Sequence, residues 1–406
     1  MSESAVESRR RLRELDGLRG IAIVLVVLSH GWVLWPMDFI DTHEWVRPLF
    51  RSGNSAVTVF LVVSGFVSYR GLAHPSGLPR MQPVISLARR VIRVAPALIA
   101  MLVALMVVAA IDDTDTASKD TNRSTLLHSI TYTYNWYVQD SFLQTRADLG
   151  HLWYLSVDMQ AFVCFALLAY LLRRRPLGLA LSLAGLFLLL VWWRFHAYNT
   201  EVIWTVLNRT SVRMDAFIIG ALAAAVVTYL PRNQPAYRWI GPVSLVLMLP
   251  TLMWCDTDDG YMGWGGTFLE ILVAVYVVSV AMTQHDPAPS RFRLMSHPVL
   301  VRLGAMSLVL YVWHLPIFHF VHRHTEHWSW WGWSVLVALA ATWAISRVCE
   351  RLIEQPISGV LAASWWQEAR SRGLVTYARE RGAARPGAWA RVIWAPAPKR
   401  EKTRVG

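Results

Sequence analysis

A chain of 406 residues that is 55% hydrophobic and only 16% charged is too apolar for an ordinary soluble protein. The net charge of +12 suits loops facing an anionic leaflet better than it suits nucleic acid. Cys164, Cys255 and Cys349 show neither disulfide nor metal-ligand spacing, so no metal site is expected.

Apolar runs long enough to cross a bilayer recur along the chain, and the fold class they imply is all-α, a polytopic transmembrane helical bundle. Ten spans are predicted, near 17–35, 55–70, 92–111, 152–172, 177–195, 212–230, 238–254, 264–283, 303–321 and 330–349. The seventh is short and carries Pro242 and Pro250. The basic run before the first span resembles the start of a signal peptide. No small-residue cleavage site follows, so the segment is expected to stay as a span.

That first span opens on Asp16 and Arg19 and holds His30 deep inside it. Eleven residues advance a helix by about three full turns and about 16 Å, so Arg19 and His30 share a face at different depths. Asp16, one turn before Arg19, is placed to orient its guanidinium. Ionisable groups within a span are expensive, and function is the default reading.

Loop charges set the orientation. Arg70, Arg80, Arg89, Arg90 and Arg93, then Arg173 to Arg175, Arg232 and Arg238, and Arg291 and Arg293 fall on the side of the N-terminal arginines. Acidic loops, with Asp112, Asp113, Asp115 and Asp120 or Asp256, Asp258 and Asp259, fall on the other. Both termini are therefore expected in the cytoplasm. Residues 1–363 form the transmembrane domain, and 364–406 form a basic cytoplasmic tail that is either interfacial or disordered.

Several constellations carry chemistry. Arg90 and Arg93 in A-R-R-V-I-R-V-A-P share a helix face and suit a phosphate clamp, or they simply obey the positive-inside rule. Ser64 and Gly65 in S-G-F are small residues where helices approach. In H-L-W-Y-L-S-V-D, which includes Trp153, His151 and Asp158 are seven residues apart and share a predicted face. Asp158 is a buried acid with either a catalytic or a structural partner.

Arg213 and Asp215 open the sixth span, as an interfacial pair or as part of a polar site at its outer end. Ser307, Tyr311 and His314 form one stripe, either a hydrated path or a hydrogen-bonded structural group. His319, His322, His324 and His327 match no standard metal spacing and read as a solvated interface. E-R-L-I-E-Q-P is expected to end the last span at Pro356.

In this order, L-D-G-L-R-G-I-A-I-V-L-V-V-L-S-H, V-F-L-V-V-S-G-F, R-R-V-I-R-V-A-P, H-L-W-Y-L-S-V-D, R-M-D-A-F-I-I-G, L-Y-V-W-H-L-P and E-Q-P resemble the membrane acyltransferase 3 family over roughly residues 12–358. The resemblance implies an O-acyltransferase moving an acyl group, commonly acetyl, from acyl-CoA to a hydroxyl of a glycan, glycolipid or macrolide-type acceptor. It implies no bound cofactor, and a multi-pass protein of the plasma membrane. It makes His30 the essential first-helix histidine and Arg19 the motif arginine, gives Arg90 and Arg93 a CoA-phosphate role, and puts Asp158 where the family usually has Glu. A neutral imidazole in a low-dielectric cavity suits a general base, so His30 is expected in that role with Asp158 as its catalytic partner, and Arg19 is expected to join the arginines that hold acyl-CoA. Asp16, Ser64, Trp153, Arg213, Asp215, Tyr311 and His314 are the expected supporting residues. The alternative is a proton-coupled transporter of an anionic solute, with His30, Asp158 and His314 as the relay.

Overall fold

The computed structural model describes residues 12–72, 83–141, 144–231, 234–284, 294–328 and 330–362. Among these the chain is helical, with no strand. The expected tail at 364–406 lies outside the described residues. The long helices are α1 (Arg13–Leu34), α2 (Gly53–Leu72), α3 (Pro83–Ile111), α4 (Trp153–Leu171), α5 (Pro176–Thr200), α6 (Thr210–Val227), α7 (Tyr237–Trp254), α8 (Gly266–Thr283), α9 (Ser307–Thr325) and α10 (Trp331–Cys349).

Eight helices among the described residues are long and apolar enough to cross a membrane, and α9 with the preceding Pro298–Ala305 helix, bent by 71°, brings the number to nine. The seventh predicted span is present as α7, an 18-residue helix. Arg238, Tyr237, two prolines and two tryptophans dilute its apolar character, and it is not among the eight.

Two long helices, α2 and α6, fill the centre of the bundle, and small residues explain how closely they lie. A methyl group on Gly65 would sit 1.9 Å from the Phe217 carbonyl oxygen, and one on Gly220 would sit 2.0 Å from that of Val62. No side chain fits at either point. Backbone contact of this kind is how helices associate where lipid removes the hydrophobic drive. The core around them, with Leu61, Val62, Phe66, Met101, Phe217 and Val277, is fully buried. On the outer rim of the bundle, exposed apolar side chains such as Val103, Val107, Leu181, Leu188 and Leu336 match a lipid-facing surface.

The expected stop at Pro356 is overturned. The helix passes through a π-turn at Glu350–Glu354 and continues as Gln355–Ala362. The π-turn, in which the Gln355 amide bonds the Glu350 carbonyl, lies just before Pro356 and takes up the place of the hydrogen bond that proline cannot make.

Between α3 and α4 the chain forms a cap of short helices, Lys119–Ile130, Tyr134–Ser141 and the 3-10 turn Ala147–Leu152. Arg146 ties this cap together. Its guanidinium donates to Asp115 at 2.7 Å, Asp148 at 2.6 Å and Asn122 at 2.7 Å. Asp115 is thereby held below the ordinary carboxylate range. Burial opposes its ionisation, but bonds from Arg146 and from the Ala117 amide outweigh that cost. Asp112 is also lowered, first by the Thr114 hydroxyl and further by His324 and Arg323.

Candidate functional site

Among the described residues, the expected site residues fall into three polar groups inside this apolar bundle. The first is a cavity of about 320 Å³ walled by α2, α3, α4 and α9 with Arg19 of α1. Arg19, Arg89, Arg90 and Arg93 all line it, as do Ser64, Asp158 and Tyr311. The helix periodicity of A-R-R-V-I-R is the cause, since it turns the three α3 arginines toward one opening.

Within the cavity Arg90 is the hub. It pairs with the Asp158 carboxylate, donates to Ser64 Oγ at 2.6 Å and Ser68 Oγ at 3.1 Å, and lies 4.7 Å from the centre of the Phe162 ring. Ser64 Oγ in turn donates to Asp158 at 2.6 Å. Asp158 is thus committed to Arg90 and Ser64, and the expected pairing of Asp158 with His30 gives way. The reason is partner choice: Asp158 lines the cavity beside the α3 arginines, whereas His30 is not among its lining residues and meets His314 instead.

The second group is a cluster of three histidines. His314 Nε2 lies 3.0 Å from His30 Nδ1, and the ring centres of His30 and His314, and of His151 and His314, are each 5.0 Å apart. His151 and His314 are buried, while His30 is half-buried. Tyr311 joins the two groups. It lines the cavity, its hydroxyl donates to the His151 carbonyl, and its ring lies 5.1 Å from that of His151.

Helices α1 and α9 align these groups in two rungs. Arg19 donates to Ser307 Oγ at 2.8 Å and lies 3.8 Å from Asp16, and one tier deeper His30 meets His314. The stripe of Ser307, Tyr311 and His314 is therefore a hydrogen-bonded seam running from the cavity to the histidines.

The third group lies apart. Buried Arg194 of α5 donates to Asp215 at 2.6 Å and Glu270 at 2.5 Å and also bonds Thr267. This corrects the interfacial pairing of Arg213 with Asp215. Asp215 turns to α5, while Arg213 donates to the Asn54 carbonyl at 3.2 Å and lies between the rings of Trp153 and Tyr261, at 5.2 and 4.7 Å. Both are buried rather than interfacial.

Of the site residues expected from sequence, the structure thus gathers Arg19, Ser64, Arg90, Arg93, Asp158 and Tyr311 at the cavity, and His30 and His314 just beyond it. Asp16 supports Arg19, and Trp153 supports Arg213. Sequence reasoning passed over Arg194, Glu270 and the role of His151. Glu270 had a usable signal, a lone carboxylate inside G-T-F-L-E-I-L-V-A-V. Arg194 falls one residue from the predicted end of the fifth span, whereas α5 extends six residues past it to Thr200.

Comparison with known proteins gives this geometry its context. The chain is 24% identical to the O-acetyltransferase OatA of Staphylococcus aureus (strain NCTC 8325 / PS 47), over 86% of its own length and 58% of that protein. A protein of Staphylococcus aureus (strain COL) provisionally named an O-acetyltransferase is 22% identical over 88% of this chain and 59% of its own length. BcsY of Komagataeibacter xylinus, provisionally named a membrane-bound transacylase, is 28% identical over 61% of this chain and 68% of its own length. The chain thus spans about three fifths of the length of the staphylococcal relatives. No solved structure matches it. A family model described as an acyltransferase domain covers residues 12–347, and on that match the chain belongs to the acyltransferase 3 family.

Proposed function

We propose that this protein is a membrane O-acyltransferase that takes an acyl group, acetyl in the first instance, from acyl-CoA and transfers it to a hydroxyl of a glycan, glycolipid or macrolide-type acceptor. The observation that carries the reading is the cavity that brings four arginines together at one end of a seam leading to His30. Arg89, Arg90 and Arg93 offer the multiple N–H donors that diphosphate groups need. From Arg19 to His30 the helix rises about 16 Å, a length that an extended pantetheine arm can cover.

The chemistry follows from the groups present. An alcohol at neutral pH is a weak nucleophile, so a positioned base is needed. His30 Nε2 would accept the hydroxyl proton as the acceptor oxygen attacks the thioester carbonyl. The tetrahedral adduct then collapses by breaking the C–S bond, and the CoA thiolate recovers the proton from His30. One ester and one thiol result, with no net proton change. Family membership does not favour the transporter reading.

We further propose ten spans with both termini in the cytoplasm of a plasma-membrane protein. Parity supports the count. Arg19 with Ser307 and His30 with His314 make α1 and α9 run in the same direction. Arg194 with Glu270 and Tyr198 with Asp259 make α5 and α8 run in opposite directions. Both relations support a crossing by α7, with each of the other long helices crossing once.

The test is to incubate purified protein with radiolabelled acetyl-CoA and candidate acceptors. Label appearing on an acceptor with release of free CoA supports the reading, and an intact thioester with every acceptor opposes it.

A further inference from the structure

We infer that His314 is a positioning residue that fixes the tautomer of His30 and so leaves His30 Nε2 as the base. The inference rests on the acyl-transfer reading. It is carried by the directions of four hydrogen bonds. His314 Nδ1 lies 2.8 Å from the Tyr311 carbonyl oxygen and 3.1 Å from that of Leu310. Carbonyl oxygens only accept, so His314 Nδ1 carries the hydrogen, and Nε2 of the neutral ring is an acceptor. That acceptor faces His30 Nδ1 at 3.0 Å, and the Val26 carbonyl oxygen faces the same nitrogen at 3.1 Å. A nitrogen flanked by two acceptors must itself hold the hydrogen. His30 Nε2 is then the nitrogen with the free lone pair, and it makes no hydrogen bond among the described residues.

The arrangement parallels the third member of a nucleophile–base–orienter triad, with a neutral imidazole in the place of a carboxylate. When His30 takes the acceptor proton, its Nδ1–H bond to His314 strengthens, because hydrogen bonds with a charged partner are the stronger kind. His314 can act this way because it is fully buried and boxed in by Tyr311, Phe318 and His151. The other titratable groups facing the pair are His151, from the turn before α4, and His319, farther along α9.

Two readouts test this, one independent of turnover. The full chain with isotope-labelled histidine, reconstituted in lipid vesicles, is examined by solid-state NMR, and His30 is assigned by the signal missing from His30→Asn. The wild type should show His30 protonated at Nδ1 and bare at Nε2, and His314→Ala should convert part of that signal to the other tautomer. An Nε2-protonated His30 in the wild type overturns the inference. Kinetically, His314→Ala should lower kcat by about tenfold or more, part of the factor a general base supplies, with the KM for acetyl-CoA unchanged. His314→Gln, whose side-chain oxygen can still accept from Nδ1–H, should recover most of the loss. Equal loss in both variants, or wild-type kcat in His314→Ala, overturns it. If the NMR result holds while the wild type transfers no acyl group, the acyl-transfer reading fails and the orienting contact stands.

Discussion

The His30 and His314 rings meet at 3.0 Å between Nδ1 and Nε2, on two helices that also meet one tier closer to the cavity at Arg19 and Ser307. The two rungs are eleven residues apart on α1, about 16 Å, but only seven apart on α9, about 10 Å. The long Arg19 side chain takes up the difference by reaching along the seam. The helix pair therefore offers a cation at one depth and an imidazole at another, on one continuous polar line through an apolar bundle.

The arginines should act on the donor. Arg90→Ala combined with Arg93→Ala is expected to raise the KM for acetyl-CoA by about tenfold or more, the loss of at least one charge-assisted bond. Arg173→Ala, outside the cavity, should leave it unchanged. Steady-state kinetics at saturating acceptor distinguishes the two.

Asp158 is bound to Arg90, so its removal should cost stability as well as activity. Asp158→Ala leaves a mostly buried guanidinium without its acid, and breaking such a pair costs about 3–5 kcal/mol. Asp158→Asn, which still accepts a hydrogen bond, should lose less. Thermal unfolding in detergent, with and without acetyl-CoA, checks the order.

The cluster of Arg194, Asp215 and Glu270 should behave as a purely structural group. Glu270→Ala is expected to destabilise by a similar amount, about 3–5 kcal/mol, and to leave the KM for acetyl-CoA unaltered in the protein that folds. A raised KM would bring the third group into the site.

The cap should loosen in acid. The carboxyls of Asp112 and Asp115 have folded-state pKa values below their unfolded ones. Their contribution is therefore complete above about pH 4 and is lost as the pH falls through the lowered values. Hydrogen exchange across 115–150 should be slow at pH 6 and should rise, after correction for the intrinsic rate, near pH 3. Asp115→Asn should show the faster exchange already at pH 6.

Ten spans put the turn after α7 outside. In a variant lacking the native cysteines, a cysteine at Thr257 should react with an impermeant maleimide in intact cells, and one at Gln234 should react only after permeabilisation. The same response at both positions, whether in intact cells or only after permeabilisation, contradicts the count.

Much of this was legible in the sequence because intramembrane charges are conspicuous. His30, Asp158 and His314 each interrupt an apolar run, Arg19 opens one and Arg90 lies just before another, and each proves to be part of a polar group. Partner choice was not legible. Arg90 and Asp158 are 68 residues apart, and His30 and His314 are 284 apart, so helix periodicity gives each a face without saying what that face meets. His151 was visible as a polar residue at the entry to the fourth span, but its neighbours on α1 and α9 were not. The continuation past Pro356 was hidden because a π-turn cannot be read from residue pattern.

Acyl transfer by His30→Ala tests the assignment of His30 as the base. Wild-type and variant protein, reconstituted at equal amounts and with equal thermal stability, would be given radiolabelled acetyl-CoA and an acceptor that the wild type modifies. The expected result is a loss of about 10²-fold or more in kcat, the contribution of a positioned base, with acetyl-CoA binding retained. Acylation by His30→Ala at the wild-type rate would contradict it.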